Sequence, residues 1–556
     1  MIKQFFNYIE QGIYADTRTA QKPFWHYAIG ILFLLLVGIK LYANLEQQMD
    51  IQFADEAAYL RFGLDIPNSF NRNWGPLYCL WYKVLSFITI DTIKLYYLNY
   101  RLLGILLPVL VYILLLRINI NALLAVFMSF CLLTMESSVI AWPRISHFCL
   151  IILVLGLINI TYLKDIVYKL LFFAIICLLC SYARPEFYLS FLMIVFILVI
   201  YLLIKRKTLV QKHFVALLAF VALVAVLHFI FRFPSNDFFG YKRSVAAFFQ
   251  HFAFGMVYQK KVNADAWLIW EDLAKQYFGT CDSLLCLVKT NPKMFFSHLF
   301  LCIKILIVSL FVSFPNYCIP LVLIKYKKIK IILTILFYIS FAYLLLNKNK
   351  RNYFLKLLQQ NLFILILLIC FVVPTFISCI LYFPRMHYIY MQSILYIVVL
   401  AFLFETLMPI KCTKYVVAIV LVFSSSIILI NGINYKFLNL NQNKEVANKT
   451  NQQLINYLQS LPNKKHTVFT NMPFVTGMLD HRFKEVNTIF DKKKTIPFKY
   501  YLENDSIDII IVSETLLRDP HLSSDTSWNN FYNNYEQFSF KQDSLASNYY
   551  TILIKE

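Results

Sequence analysis

Two adjacent carboxylates, Asp55 and Glu56, open the run Asp55-Glu56-Ala57-Ala58-Tyr59, shortly after the first long apolar stretch of the chain. Acids at a membrane surface are costly unless used, and a positioned carboxylate can take the proton from a reacting hydroxyl. The bland alternative is a helix N-terminus, where acids favour the dipole. The company of this pair weighs against that alternative. Arg72 and then Asn73-Trp74-Gly75-Pro76-Leu77-Tyr78 lead into Pro76–Ile90, a short apolar segment rich in Tyr and Trp with Lys83 at its middle. That composition predicts a helix lying at the membrane interface, where a substrate arriving from the bilayer would meet the acids. Glu136, Arg144 and His147 bracket a later turn between two apolar runs. Ionisable groups there are functional candidates by default, or snorkelling side chains otherwise.

The twelve cysteines form no metal or disulfide framework. Cys177 and Cys180 make a C-x-x-C, but inside a helix-length apolar run where Cys packs as a small hydrophobe. Cys281 and Cys286 fit a loop disulfide if their loop is extracytoplasmic. No cofactor is expected, and a divalent cation held by Asp55 and Glu56 is a minor alternative.

The elements that must position these groups are set by composition. Apolar residues make up 60% of the 556 and charged ones 15%, with a mean hydropathy of +0.62. A water-facing surface needs roughly 25% charged residues, so most helix surface here must face lipid. The net charge of +22 sits in short clusters between apolar runs, at Lys205-Arg206-Lys207, Lys325 to Lys330 and Lys348 to Arg351. That is the positive-inside pattern of a membrane protein and not the footprint of nucleic-acid binding.

Runs long enough to span are Tyr27–Ala43, Leu95–Leu116, Ile120–Met135, Ile145–Leu163, Ile166–Tyr182, Tyr188–Ile204, Phe214–Phe231, Leu299–Ile324, Leu362–Tyr382, His387–Leu407 and Tyr415–Ile433. Ile331–Leu346, short and flanked by basic clusters, reads as a membrane hairpin. The expected fold is therefore an all-α polytopic bundle of about 11–13 transmembrane helices over residues 1–433. Lys3, Arg18 and Lys22 place the N-terminus in the cytoplasm, and Lys411 and Lys414 fall on the same side. Loops 44–75 and 232–298 then face outward, with Trp267, Trp270, Phe295 and Phe296 as interfacial anchors. Residues 434–556 turn polar and form a small extracytoplasmic α/β domain. Its helix covers Glu445–Leu461, and its buried strands are Thr467–Thr470, Ile507–Val512 and Tyr549–Ile554.

One span, D-E-x-x-Y, a Pro-Leu-Tyr aromatic helix and many further spans resemble the C-type (GT-C) membrane glycosyltransferases, with the protein O-mannosyltransferases and lipid A aminoarabinose transferases as the nearest group. The resemblance implies that Asp55 is catalytic, with Glu56 beside it. It also implies that a basic residue in Tyr382-Phe383-Pro384-Arg385-Met386-His387-Tyr388-Ile389-Tyr390-Met391, either Arg385 or His387, binds the donor's phosphate. The usual Leu-Pro ending is replaced by Tyr390-Met391. Ala183-Arg184-Pro185-Glu186 is a further element similar to the family, and Arg72 and Arg144 are additional candidates for the phosphate. The implied activity is inverting transfer of a sugar from a polyprenyl-phosphate donor in the inner or plasma membrane to a hydroxyl on a glycan, lipid or protein acceptor. Two rivals use other features. A transporter or flippase would show mid-membrane charges and inverted repeats, and an O-antigen-type polymerase would place Arg-rich chemistry in late outward loops.

Overall fold

The computed structural model describes residues 22–135, 138, 142–206, 210–232, 237–238, 241–317, 327–408, 449–487, 496–543 and 550–556. Glu136, the expected span Tyr415–Ile433, and Lys3, Arg18, Lys207, Lys411 and Lys414 lie outside the described residues.

Among the described residues the first half of the chain forms, besides the short helix Leu45–Gln48, the helices α1 (Phe24–Leu41), α2 (Asp55–Leu64), α3 (Pro76–Ser86), α4 (Thr92–Arg117), α5 (Ala122–Thr134), α6 (Ile145–Ile160), α7 (Ile166–Ala183), α8 (Phe187–Ile204) and α9 (Gln211–Phe231). Several begin where a short polar side chain takes up a free backbone N–H. Asp91, Asn121 and Asp165 accept from Lys94, Leu123 and Val167, capping α4, α5 and α7. The second half adds α10 (Arg243–Tyr258), α11 (Ala266–Phe278), α12 (Pro292–Asn316), α13 (Lys327–Leu346), α14 (Lys348–Gln360), α15 (Leu362–Leu381), α16 (Met386–Tyr390) and α17 (Ser393–Leu407).

Among the described residues seven helices are long and apolar enough to cross a membrane: α1, α4, α7, α8, α9, α15 and the Pro292–Val312 part of α12. Helices α5, α6 and α17 are apolar but shorter. The exposed surface is itself apolar. Helix α9 buries only His213 and Phe231, while Phe214, Val215, Leu218, Val221, Val226 and Phe229 are exposed. Helix α1 buries Phe33, Leu34, Val37 and Leu41 and leaves Leu32, Leu36 and Ile39 out. Apolar faces of this extent are stable in hydrocarbon and not in water.

Ile331–Leu346 is part of α13, which bends by 94° into α14 at Asn347, the geometry of a broken span or of a re-entrant loop, so the expected hairpin stays open. Two expectations change. Helix α12 starts at Pro292, seven residues before the expected Leu299, because Asn291 caps it and Pro292 suits the first helical position. The span expected from His387 begins instead at Ser393, since the short helix α16 ends in a turn at Met391 and Gln392.

Both long loops, 44–75 and 232–298, contain helices among the described residues. The second holds α10 and α11 around a core of its own containing Phe248, Phe252, Trp270, Phe278 and Phe295. Trp270 and Phe295 are thus buried packing residues and not interfacial anchors. Cys281 and Cys286 in this loop are joined by a disulfide.

The C-terminal region folds as helix α18 (Thr450–Ser460) and strands β1 (His466–Thr470), β2 (Phe483–Asn487), β3 (Ile509–Ser513), β4 (Phe540–Asp543) and β5 (Tyr550–Lys555), with short helices between. The sheet order is β2-β1-β3-β5-β4, with β1 parallel to β2 and β3, and β5 antiparallel to its neighbours β3 and β4. Strand alternation divides its apolar residues between two faces. Phe469, Ile510, Val512 and Leu553 pack under Phe498, Trp528 and Phe531. Val468, Ile509, Ile511 and Ile552 face α18 through Leu454, Ile455 and Leu458, in a core continuous with that of the helical bundle.

Candidate functional site

The acid pair stands in the first turn of α2, and the two carboxylates have different surroundings. Glu56 is fully buried. Its Oε1 accepts from Tyr78 Oη at 2.6 Å, Tyr82 Oη at 2.5 Å and Asn99 Nδ2 at 3.0 Å, and its Oε2 accepts from the Arg144 backbone N–H at 2.8 Å. Tyr78 and Tyr82 belong to α3, Asn99 to α4, and Arg144 precedes α6, so one carboxylate ties four helices together. Burial raises the Glu56 pKa, and the two tyrosine hydroxyls act against that rise.

Asp55 is half-buried, and among the described residues its carboxylate accepts no hydrogen bond. Burial raises its pKa, and three guanidiniums oppose the rise: Arg385, Arg184 and Arg243. They come from three separate segments, which the fold gathers at one end of the bundle.

Each guanidinium is held against an aromatic ring, an arrangement that keeps a planar cation oriented while its N–H edge stays usable. Arg184 follows α7, where Pro185 prevents the helix from continuing. It pairs with Glu186 at 2.7 Å and lies 5.0 Å over the Tyr388 ring. Arg385 lies 5.5 Å from the Phe254 ring and 5.8 Å from that of Trp267, so α10 and α11 wall this side. Trp267 is therefore part of the site's wall. Arg243, the first residue of α10, donates to the Asn73 carbonyl at 3.1 Å and lies 5.7 Å from the Trp74 ring.

His387 is buried, and burial followed by Arg184, Arg385 and His251 pushes its pKa well below the ordinary imidazole value. A neutral ring cannot supply a cation, so within the 382–391 segment the charge falls to Arg385. His251 on α10 is buried beside the same groups and is likewise held neutral, by burial first and then by Arg385 and His298.

Two further arginines expected from the sequence are not among the cations acting on Asp55. Arg144 is fully buried, 4.1 Å over the Tyr100 ring, with Nη1 donating to the Ser138 carbonyl at 2.7 Å and 2.8 Å from His147 Nε2. It stands behind Glu56 and not among the cations acting on Asp55. Arg72 lies 5.9 Å from the Phe70 ring and is also outside that set. Arg243 and His251 were not singled out by the sequence reading. A cation at the start of an amphipathic stretch in an outward loop was the available signal for Arg243, and many surface arginines share it.

Glycine matters at one point here. Gly75 has φ +56°, and a Cβ on it would meet Tyr59 Cε1 at 2.7 Å and the Ala183 carbonyl at 3.1 Å. Its bare backbone lets α3 start directly beneath Tyr59, next to the Arg184 segment.

Among the described residues no group of three His, Cys, Asp or Glu is placed to hold a metal ion. No family model matches the chain, and no curated protein matches it.

Proposed function

We propose that the protein is a membrane glycosyltransferase that moves a sugar from a polyprenyl-phosphate donor to an acceptor hydroxyl, with Asp55 as the general base. The observation that carries this reading is the contrast between the two acids. Glu56 is saturated with hydrogen bonds, whereas Asp55 keeps accepting capacity beside three arginines. A carboxylate facing several cations suits a reaction in which a proton is removed at one atom and negative charge grows on phosphate at another.

The acceptor oxygen attacks the anomeric carbon as its proton passes to Asp55. The bond from the anomeric carbon to the phosphate oxygen breaks, and its electron pair stays on the phosphate. Arg385 and Arg184 stabilise that growing charge more in the transition state than in the ground state. A raised pKa makes Asp55 a stronger base than an ordinary carboxylate. With one base and no covalent intermediate, the anomeric configuration inverts. Glu56 holds the helix that carries Asp55 and does not touch substrate.

The exposed apolar faces of α1 and α9 support a membrane location in which the donor's tail stays in lipid. The Cys281–Cys286 disulfide supports placing the site, both long loops and the C-terminal domain on the extracytoplasmic side, with the N-terminus in the cytoplasm. The donor headgroup and the acceptor, whether glycan, lipid or protein, follow from assay.

The test is transfer of labelled sugar from polyprenyl-phosphate donors by the purified protein in lipid vesicles. Asp55→Asn is expected to lower the rate by about 10²–10⁴-fold while donor binding persists. Equal rates in the two proteins would remove Asp55 from the chemistry.

A further inference from the structure

The turn that carries Asp55 is held in a strained backbone conformation by the C-terminal domain. Ala54 has φ +59° and ψ −129°, a region that favours glycine. Such a residue persists only where its surroundings over-determine it. Both of its backbone groups are held: the Ala54 N–H donates to the Pro473 carbonyl at 2.8 Å, and the Ala54 carbonyl accepts from the Ala58 N–H at 3.0 Å in the first turn of α2.

Pro473 lies in the loop between β1 and β2, and that loop is built around Glu485. Glu485 Oε1 accepts from the Phe474 N–H at 2.9 Å and Asn487 Nδ2 at 2.8 Å, and its Oε2 accepts from the Thr476 N–H at 3.1 Å and Thr476 Oγ1 at 2.9 Å. Asn487 Nδ2 also donates to the Met472 carbonyl at 2.9 Å. The residues on both sides of Pro473 are thereby fixed. The loop then closes on the bundle. A Cβ on Gly477 would come within 2.7 Å of the Ala57 carbonyl. Thr92 Oγ1 donates to the Met478 carbonyl at 2.7 Å, and Arg61 Nη1 donates to the Leu479 carbonyl at 3.0 Å.

We infer that Glu485 is a positioning residue for Asp55, acting through the Pro473 carbonyl and the strained Ala54 peptide. The dihedrals at Ala54 set the direction in which the first turn of α2 leaves the loop, and hence where the Asp55 carboxylate points. Loss of the Pro473 acceptor leaves the Ala54 N–H unpaired and lets residue 54 fall back to negative φ. The catalytic part of this inference rests on Asp55 being the base. The structural coupling does not.

Full-length protein in lipid vesicles separates the two. Hydrogen–deuterium exchange at the 54–58 amides and transfer kinetics are measured for Glu485→Ala, for Gly477→Ala, and for each combined with Ala54→Gly. Glu485→Ala is expected to speed exchange at 54–58 and to lower kcat with little change in donor KM, while the β3 amides stay protected. Ala54→Gly in that background should recover about tenfold of the loss, because glycine adopts the required dihedrals without strain. If Glu485→Ala unfolds the domain, Gly477→Ala takes its place. It lifts the same loop off α2 through contact with the Ala57 carbonyl and leaves the sheet untouched, and the same exchange and recovery are expected. Unchanged exchange at 54–58 in Gly477→Ala, or no recovery with Ala54→Gly, would overturn the inference. Exchange that behaves as expected in a protein that transfers from no donor leaves the coupling standing and sinks the assignment of Asp55 as a base.

Discussion

At the scale of single residues, the Asp55 carboxylate is governed by a balance between burial, which favours its proton, and the charges of Arg385, Arg184 and Arg243, which disfavour it. As the proposed base, Asp55 would work only when deprotonated, so transfer is expected to fall as pH drops through its raised pKa. Removing a positive neighbour takes away stabilisation of the carboxylate and raises the pKa further. Arg243→Gln is therefore expected to move the acid limb of the kcat/KM profile to higher pH, and a pH–rate series on the two proteins measures it. A limb that stays in place, or moves to lower pH, would take Arg243 out of the field at Asp55. His387→Gln should leave that limb nearly unmoved, because its ring is held neutral. The acid pair and the Arg184 and Arg385 segments were legible in the sequence as residue types in short motifs. The division of labour within the pair was not, because it depends on Tyr78, Tyr82 and Asn99, which sit 22 to 43 positions away from Glu56.

At the scale of elements, α2 is anchored on opposite sides by different means. Towards the bundle, Glu56 accepts four hydrogen bonds from α3, α4 and the residue before α6. Truncating it leaves two hydroxyls and a backbone N–H buried without their acceptor, while the Asn99 amide keeps the Tyr78 and Tyr82 oxygens. Glu56→Ala is expected to destabilise the protein by about 3–5 kcal/mol, and Tyr82→Phe by about 1 kcal/mol. Thermal unfolding in detergent reads both, and an unshifted midpoint in Glu56→Ala would show that the network contributes nothing to stability. Towards the C-terminal domain, Asp50 accepts from the Asn451 and Gln452 backbone N–H groups, each at 2.9 Å. A carboxylate from the first loop thus occupies the N-terminus of α18, where free N–H groups and the helix dipole favour an anion.

At the scale of the whole molecule, the C-terminal domain shares its core with the bundle and grips the segment from Asp50 to Arg61. It also reaches the second loop, where His521 Nε2 lies 3.9 Å from Asp272 on α11. A domain so placed is expected, on the proposed reading, to help position Asp55 besides any part it plays in holding an acceptor. Deleting residues 444–556 removes the partners of Asp50, Ala54, Arg61 and Thr92 together. The deletion is expected to lower transfer at least about a hundredfold for every acceptor, the order associated with a small misplacement of a reacting group. Transfer from one donor to a panel of acceptors tests this. A truncated protein that keeps its rate and merely changes its preference would show the domain to be an acceptor-binding module alone.

What the sequence by itself determined is whatever depends on local pattern. Apolar run length marked the helices long and apolar enough to cross a membrane, because a helix satisfies its own backbone and needs only an apolar surface to stay in lipid. Short apolar runs marked β1, β3 and β5 as buried strands, whereas the edge strands β2 and β4 escaped notice because only one residue of each is buried. The adjacent acids marked α2. Only the tertiary structure decided which acid is spent on packing, that Arg243 joins Arg184 and Arg385 around the other, and that Ala54 leans on Pro473. Those outcomes rest on hydrogen bonds and charges between groups up to about 420 positions apart. Their strength is fixed by distance and burial, which no spacing in the chain encodes.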